Sequence, residues 1–282
     1  MKQRILATLL SLCLLVGLLP SVALAEEYTT ETTPQNLYVN NVALLDEGLL
    51  TEGHVDGVAY FQETNTLYLS NINIAYGYIY QDSKTAGIYA DGDLNIVLSG
   101  TNLIDKSLDR AIYTTGELVI SGGGNLESSA AGIYAKALKM QTTGIINITA
   151  SSECLHSSDG DIDIQSGTLN LTATSDSWAQ VIYSAKGLNI RGGNIIVSAP
   201  SQDTATYTYG VYVNGGDIFI ENACISSTAK QDSLYAKGNI TINNGTIYAP
   251  NGIRAQNSGS ILIKDGNVEV GGKGLESVND IW

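Results

Sequence analysis

A column of aromatic and ionisable side chains recurs through this chain at intervals of 19 to 29 residues. It runs Tyr89, Tyr113, Tyr134, His156, Tyr183, Tyr212, Tyr235 and Arg254. A phenol ring has a flat apolar face and a polar tip, the pairing that suits the C–H faces and hydroxyls of sugars. The column therefore predicts a carbohydrate-binding ladder lying under an extended polysaccharide. A second account stays open, in which Tyr fits a half-exposed strand and its rings stack for stability alone.

An acidic set accompanies the ladder: Asp91, Asp93, Asp159, Asp161 and Asp163, with Glu117 and Asp217 further along. Carboxylates presented by adjacent turns could hold calcium, which takes six to eight oxygens. Asp159-Gly160-Asp161-Ile162-Asp163 is the densest group, and it lacks the glutamate of a calcium-binding EF-hand loop. The alternative is a row of solvated turn carboxylates. Catalysis has less to draw on. His54 and His156 are the only histidines, and no H-E-x-x-H or G-x-S-x-G string is present. A polysaccharide lyase would need a base beside a cation-neutralised carboxylate. After a leader is removed the arginines are Arg110, Arg191 and Arg254. No residue is assigned as catalytic.

The elements that must position these side chains are read from the phrase Gly87-Ile88-Tyr89-Ala90-Asp91-Gly92-Asp93-Leu94-Asn95-Ile96 and its repeats. Repeats of about 20–30 residues, each unable to bury its own apolar face, signal a solenoid. Three alternating segments recur per unit. The first carries Ile88, Ile112, Ile133, Leu155, Ile182, Val211, Leu234, Ile253 and Leu275. The second carries pairs such as Leu94/Ile96, Leu118/Ile120 and Ile162/Ile164, and the third Leu126, Ile146/Ile148 and Leu169/Leu171. Alternation turns one face inward. The fold class is all-β, a single-stranded right-handed parallel β-helix of eight to nine rungs with three short strands per rung. The excess length falls after the third strand, at 172–180 and 198–209, and is expected to project as loops along one edge.

Residues 1–25 have a basic start, an apolar run and small residues before Glu26, which is the pattern of a secretory signal peptide. The protein is therefore expected to be secreted or at the cell surface, with no integral membrane segment after cleavage. Residues 26–36 form a polar leader, 37–75 N-terminal strands that cap the solenoid, and 76–282 the repeats. The last repeat stops inside a rung, so a longer array is expected. The formal charge of −14 excludes a nucleic-acid partner, which needs a basic footprint. Cys154 and Cys224 lie in rungs two apart, too far for a bridge, and are expected to be buried free thiols.

The strings Gly87-Ile88-Tyr89-Ala90-Asp91-Gly92-Asp93-Leu94-Asn95-Ile96 and Thr66-Leu67-Tyr68-Leu69-Ser70-Asn71-Ile72-Asn73-Ile74 resemble those of secreted carbohydrate-binding β-helix proteins of Gram-positive, often clostridial, bacteria. The likeness covers about residues 36–282. It implies a fold similar to pectate lyases, a binding rather than a cleaving role, and in some members bound calcium. This chain departs from the group in placing Tyr in the ladder slot. The function expected is a non-catalytic extracellular module that binds plant or bacterial cell-wall polysaccharide. The alternatives are a structural spacer or adhesin segment of a surface protein, and third a lyase.

Overall fold

The structure, a computed structural model, describes residues 33–105, 108–201 and 206–282. The expected signal peptide, most of the leader and Cys13 lie outside the described residues.

Isoleucine, leucine and valine alternate with polar residues in runs too short to bury themselves. They gain burial by stacking turn on turn. The first column of strands follows the order Lys84–Ala90, Arg110–Thr114, Gly132–Ala135, Leu155–Ser157, Trp178–Ser184, Tyr207–Val213, Leu234–Ala236, Ile253–Ala255 and Leu275–Ser277, all paired in parallel. Ile88, Ile112, Ile133, Leu155, Ile182, Val211, Leu234 and Ile253 are in register from turn to turn, and none is more than 1% exposed. The second and third columns stack the same way. Leu118/Ile120 sits on Leu94/Ile96 and beneath Leu138/Met140, and Ile146 lies between Leu126 and Leu169. Ile240–Ala249 runs through both of these columns as one strand. The result is the expected parallel β-solenoid of about eight turns.

Close approach between turns fixes some residue types. A Cβ on Gly132 would lie 2.1 Å from the carbonyl oxygen of Glu153 on the next turn, so the position before Ile133 accepts only hydrogen. Gly122 closes the turn after the second column with φ +94°, a conformation that L side chains rarely adopt.

The chain's N-terminal strands cover the first turn. Leu37–Val39 pairs antiparallel with Lys84–Ala90 and buries Leu37 and Val39 completely. Val58–Phe61 pairs antiparallel with Thr66–Ser70. Thr66–Ser70 and Asn73–Ile74 already pair in parallel with Leu94–Ser99 and Thr101–Ile104, so regular stacking begins inside the segment read as a cap. No helix among the described residues is long and apolar enough to cross a membrane.

One expectation on the thiols is corrected. Both cysteines are free, but only Cys154 is buried and Cys224 is exposed. Cys224 opens the strand Cys224–Thr228 at an outward position, with the buried Ile225 turned inward next to it.

Candidate functional site

The residue after each core aliphatic points away from the core because a strand alternates. The ladder therefore forms on the outer face of the first column, with Tyr113 in register with Tyr89 and Tyr134, and His156 with Tyr134 and Tyr183. Its rings are not left open. They pack on one another: Tyr89 on Tyr113 at 6.1 Å between centroids, Tyr134 on His156 at 4.7 Å, His156 on Tyr183 at 4.6 Å, Tyr183 on Tyr212 at 6.1 Å and Tyr212 on Tyr235 at 4.6 Å, all stacked. Tyr80, from the strand Tyr78–Gln81, stacks on Tyr113 at 4.3 Å, and Tyr78 stacks on Tyr38 at 3.8 Å. The Arg110 guanidinium lies 3.6 Å from the centroid of Tyr134, a cation over a ring face. Tyr134 and Tyr235 are only 8% and 6% exposed. Ring faces in these stacks are covered by their neighbours, and at Tyr134 and Tyr235 little of the side chain reaches solvent.

Burial governs the ladder hydroxyls. It pushes the phenol of Tyr89 up to about 12, helped by Asp91 and neighbouring tyrosines, and that of Tyr235 to about 12 as well. Tyr134 is raised by burial and by Glu153, with Arg110 opposing. These groups stay neutral hydrogen-bonding hydroxyls. Tyr134 donates to a Glu153 oxygen, and Tyr235 donates to Oε1 of Gln256 at 2.6 Å. Tyr113 and Tyr183 have no such partner among the described residues.

Two buried carboxylates flank the ladder and were not singled out from the sequence. Glu153, 7% exposed, also lies 3.1 Å from Nδ1 of His156. Burial raises its carboxyl, but the hydrogen bonds from His156 and Tyr134 and the charges of His156 and Arg110 outweigh that, so the net shift is downward. Asp232, 1% exposed, lies 3.3 Å from Nη2 of Arg254 and 3.5 Å from Nζ of Lys273. Burial wins there and raises it against both cations. Arg254 also pairs through Nε with Glu276 at 3.0 Å, so it is a neutralised cation rather than a base facing an open carboxylate. Glu153 and Asp232 both stand two residues before a core aliphatic, Leu155 and Leu234, as do Arg110, Gln180, Tyr209 and Lys273. That slot is a second column beside the ladder, and its mixed polarity was the available signal.

The acidic residues are spread over several turns of the solenoid. Among the described residues no three acidic, histidine or cysteine side chains are grouped as a metal would require. Their carboxylates bracket successive turns instead. Asp93 Oδ1 accepts from the backbone N–H of Glu117 at 2.7 Å, Asp161 Oδ1 from Gly187 at 2.7 Å, and Asp217 Oδ1 from Asn239 at 2.6 Å. Asp91 accepts from the N–H groups of Gln35 and Asn36 at 2.7 Å each, which ties the segment before the first strand to the first turn. Asp163 takes Nε2 of Gln165 at 2.8 Å and faces Arg191, and Asp159 faces Lys186 at 3.7 Å. Each of Asp91, Asp93, Asp159, Asp161 and Asp163, read from the sequence as calcium ligands, has at least one oxygen engaged by a backbone donor, a side-chain amide or a cation. His54 pairs with Asp56 on the surface, remote in sequence from the ladder.

Aromatic side chains more exposed than the ladder lie elsewhere, among them Tyr76, Trp178, Tyr207 and Trp282. Trp178 and Tyr207 open two of the first-column strands and are 43% and 63% exposed. Residues 61–255, which hold the whole ladder, match the model of a protein family described as "Carbohydrate-binding domain-containing protein". The chain belongs to that family. No curated protein and no solved structure matches it. Within this carbohydrate-binding domain the aromatic clusters on the strands are the features suited to a sugar polymer.

Proposed function

We propose that the protein is a non-catalytic, secreted or cell-surface module that binds polysaccharide along the outer face of its first strand column. The observation that carries this reading is the coincidence of the carbohydrate-binding family match with a column of aromatic and polar side chains in register from Tyr89 to Arg254. Neighbouring turns are about 4.8 Å apart, so the ladder offers one polar edge per turn, near the rise of one sugar unit. Hydroxyl edges recognise sugar hydroxyls by hydrogen bonding, and water-bridged contacts count nearly as much as direct ones.

The test is affinity electrophoresis and pull-down of the protein against insoluble and soluble cell-wall polysaccharides, neutral and acidic. Retention by at least one polymer is the expected result, and retention by none overturns the reading. A structural spacer is the second reading, favoured by the ring-on-ring packing of Tyr134, His156 and Tyr183, which is what a ladder built only for stability would show. A spacer would bind nothing in the same assay.

A further inference from the structure

Trp178 and Tyr207 differ from every ladder residue in one respect. Each ladder ring from Tyr89 to Tyr235 packs on another ring, whereas among the described residues neither Trp178 nor Tyr207 is stacked on an aromatic. They are register partners on adjacent turns, at the starts of the strands Trp178–Ser184 and Tyr207–Val213. These two strands follow the longest connections in the repeat, with 27 residues from Leu155 to Ile182 and 29 from Ile182 to Val211.

The pair is held in place. The N–H of Thr206 donates to the carbonyl of Asp176 at 2.9 Å and that of Tyr207 to Ser177 at 3.2 Å, while Thr206 Oγ1 donates to the same Ser177 carbonyl at 2.8 Å. The N–H of Trp178 donates to Ser175 Oγ at 3.3 Å, and Gln231 Nε2 from the following turn donates to the Thr206 carbonyl at 2.7 Å. These bonds order the backbone that carries the two rings, so less freedom is lost when a ligand arrives. Leaving an indole and a phenol face in water forgoes hydrophobic burial that the fold secures for Tyr134 and Tyr235.

We propose that Trp178 and Tyr207 form a stacking subsite that takes the apolar faces of pyranose units in a neutral polysaccharide. The proposal rests on the polysaccharide reading above and adds a second mode of contact: hydroxyl edges along the ladder, flat faces here. Neutral sugar is the class the charge favours, since a protein of net charge −14 repels uronate polymers. Ser175, Ser177 and Thr206 stand within three residues of Trp178 or Tyr207 in the chain and carry hydroxyls of the kind that meets sugar hydroxyls. Tyr209 continues the aromatic surface, meeting Tyr212 and Tyr235 edge-on at 5.1 and 5.5 Å. The subsite lies five residues upstream of Tyr183 and Tyr212 on the same strands, about 16 Å along an extended chain, so one polymer can reach both.

The test uses the full chain. Trp178 and Trp282 are the only tryptophans, so Trp282→Phe leaves Trp178 as the sole indole reporter. Cello-oligosaccharides, xylan, galactan and polygalacturonate are titrated against this protein, with Trp178→Ala and Tyr207→Ala compared in pull-down. The expected result is a shift of Trp178 emission with a neutral glycan and about tenfold weaker binding in each alanine variant, the equivalent of about 1.4 kcal/mol. Circular dichroism should be unchanged in both variants, because the residues are exposed. Wild-type binding that survives in both variants overturns this subsite and leaves the ladder reading standing. No binding of the wild type to any glycan overturns both. Preference for polygalacturonate over all neutral polymers overturns the assignment of sugar class.

Discussion

The phenol of Tyr134 donates a hydrogen bond to the carboxylate of Glu153 on the next turn, and the same carboxylate meets His156, whose ring is stacked on Tyr134. Three consecutive links thus close on one buried anion. The arrangement holds two turns together through side chains as well as through the strand pairing between Gly132–Ala135 and Leu155–Ser157.

That anion has a consequence in acid. The partners of Glu153 hold its carboxyl below its ordinary value, so the native state binds the proton less readily than the unfolded chain. Its stabilisation is complete above the ordinary carboxylate range and is lost as the pH falls through the lowered native value. Glu153→Gln should lower stability at pH 7 by about 1–3 kcal/mol, since it removes a buried charge partner. The gap between the two proteins should close as the pH is lowered toward the native value. Thermal melts at stepped pH measure this, and a gap constant down to the acid transition would refute it.

Asp232 should behave in the opposite sense. Burial raises its carboxyl despite Arg254 and Lys273, and Oδ2 is a buried oxygen with no hydrogen-bond partner among the described residues. The native state therefore binds the proton more readily than the unfolded chain does. The contribution to stability is full below the unfolded value of about 3.9 and is lost as the pH rises through the raised native value. In Asp232→Asn, which cannot ionise, that fall should be absent, while Glu276 still pairs with Arg254. A variant whose melting temperature declines over this range as the wild type does would show that Asp232 is not the titrating group.

The two thiols should separate cleanly by reactivity. Burial pushes Cys154 up to about 12, and its Sγ contacts the carbonyls of Ile148 and Thr172 inside the stack. Cys224 stands exposed. Alkylation of the native protein at pH 8 followed by peptide mass spectrometry should modify Cys224 and spare Cys154 until denaturant is added. Equal labelling of both in the native protein would contradict the burial of Cys154.

The core was legible because its signal is redundant. Ile88 through Leu275 repeat one residue class in one slot, and parallel stacking is the arrangement that puts such a column into register. The outward direction of Tyr89 to Arg254 followed from the same alternation. What alternation does not encode is the distance between neighbouring outward side chains. Adjacent turns are close enough that Tyr134, His156 and Tyr183 fill each other's faces, and of the two accounts open from the sequence this is the stacked one. The acidic turns have a structural use that the repeat pattern does not announce. Asp93, Asp161 and Asp217 resemble hard-ion ligands in sequence, but each occupies the position just before the second strand, where the next turn presents a backbone N–H. Trp178 and Tyr207 were hidden because they fall in 172–180 and 198–209, read from the sequence as projecting loops, whereas each opens a first-column strand.

Tyr183 separates the two roles open to the ladder. Its ring is stacked between His156 at 4.6 Å and Tyr212 at 6.1 Å, and its hydroxyl has no partner among the described residues. Tyr183→Ala removes ring and hydroxyl together and uncovers two ring faces, which should cost about 1–2 kcal/mol of stability. Tyr183→Phe keeps the ring and removes only the hydroxyl, so its melt should match the wild type. A hydroxyl that meets a sugar contributes about 0.5–1.5 kcal/mol, and Tyr183→Phe should then bind the polymer two- to tenfold more weakly with the fold unchanged. If the ladder serves packing alone, the phenylalanine variant binds and melts as the wild type does, and only the alanine variant suffers. The pair of substitutions, measured by melting and by retention on the polymer, thus assigns the column to recognition or to structure from one hydroxyl group.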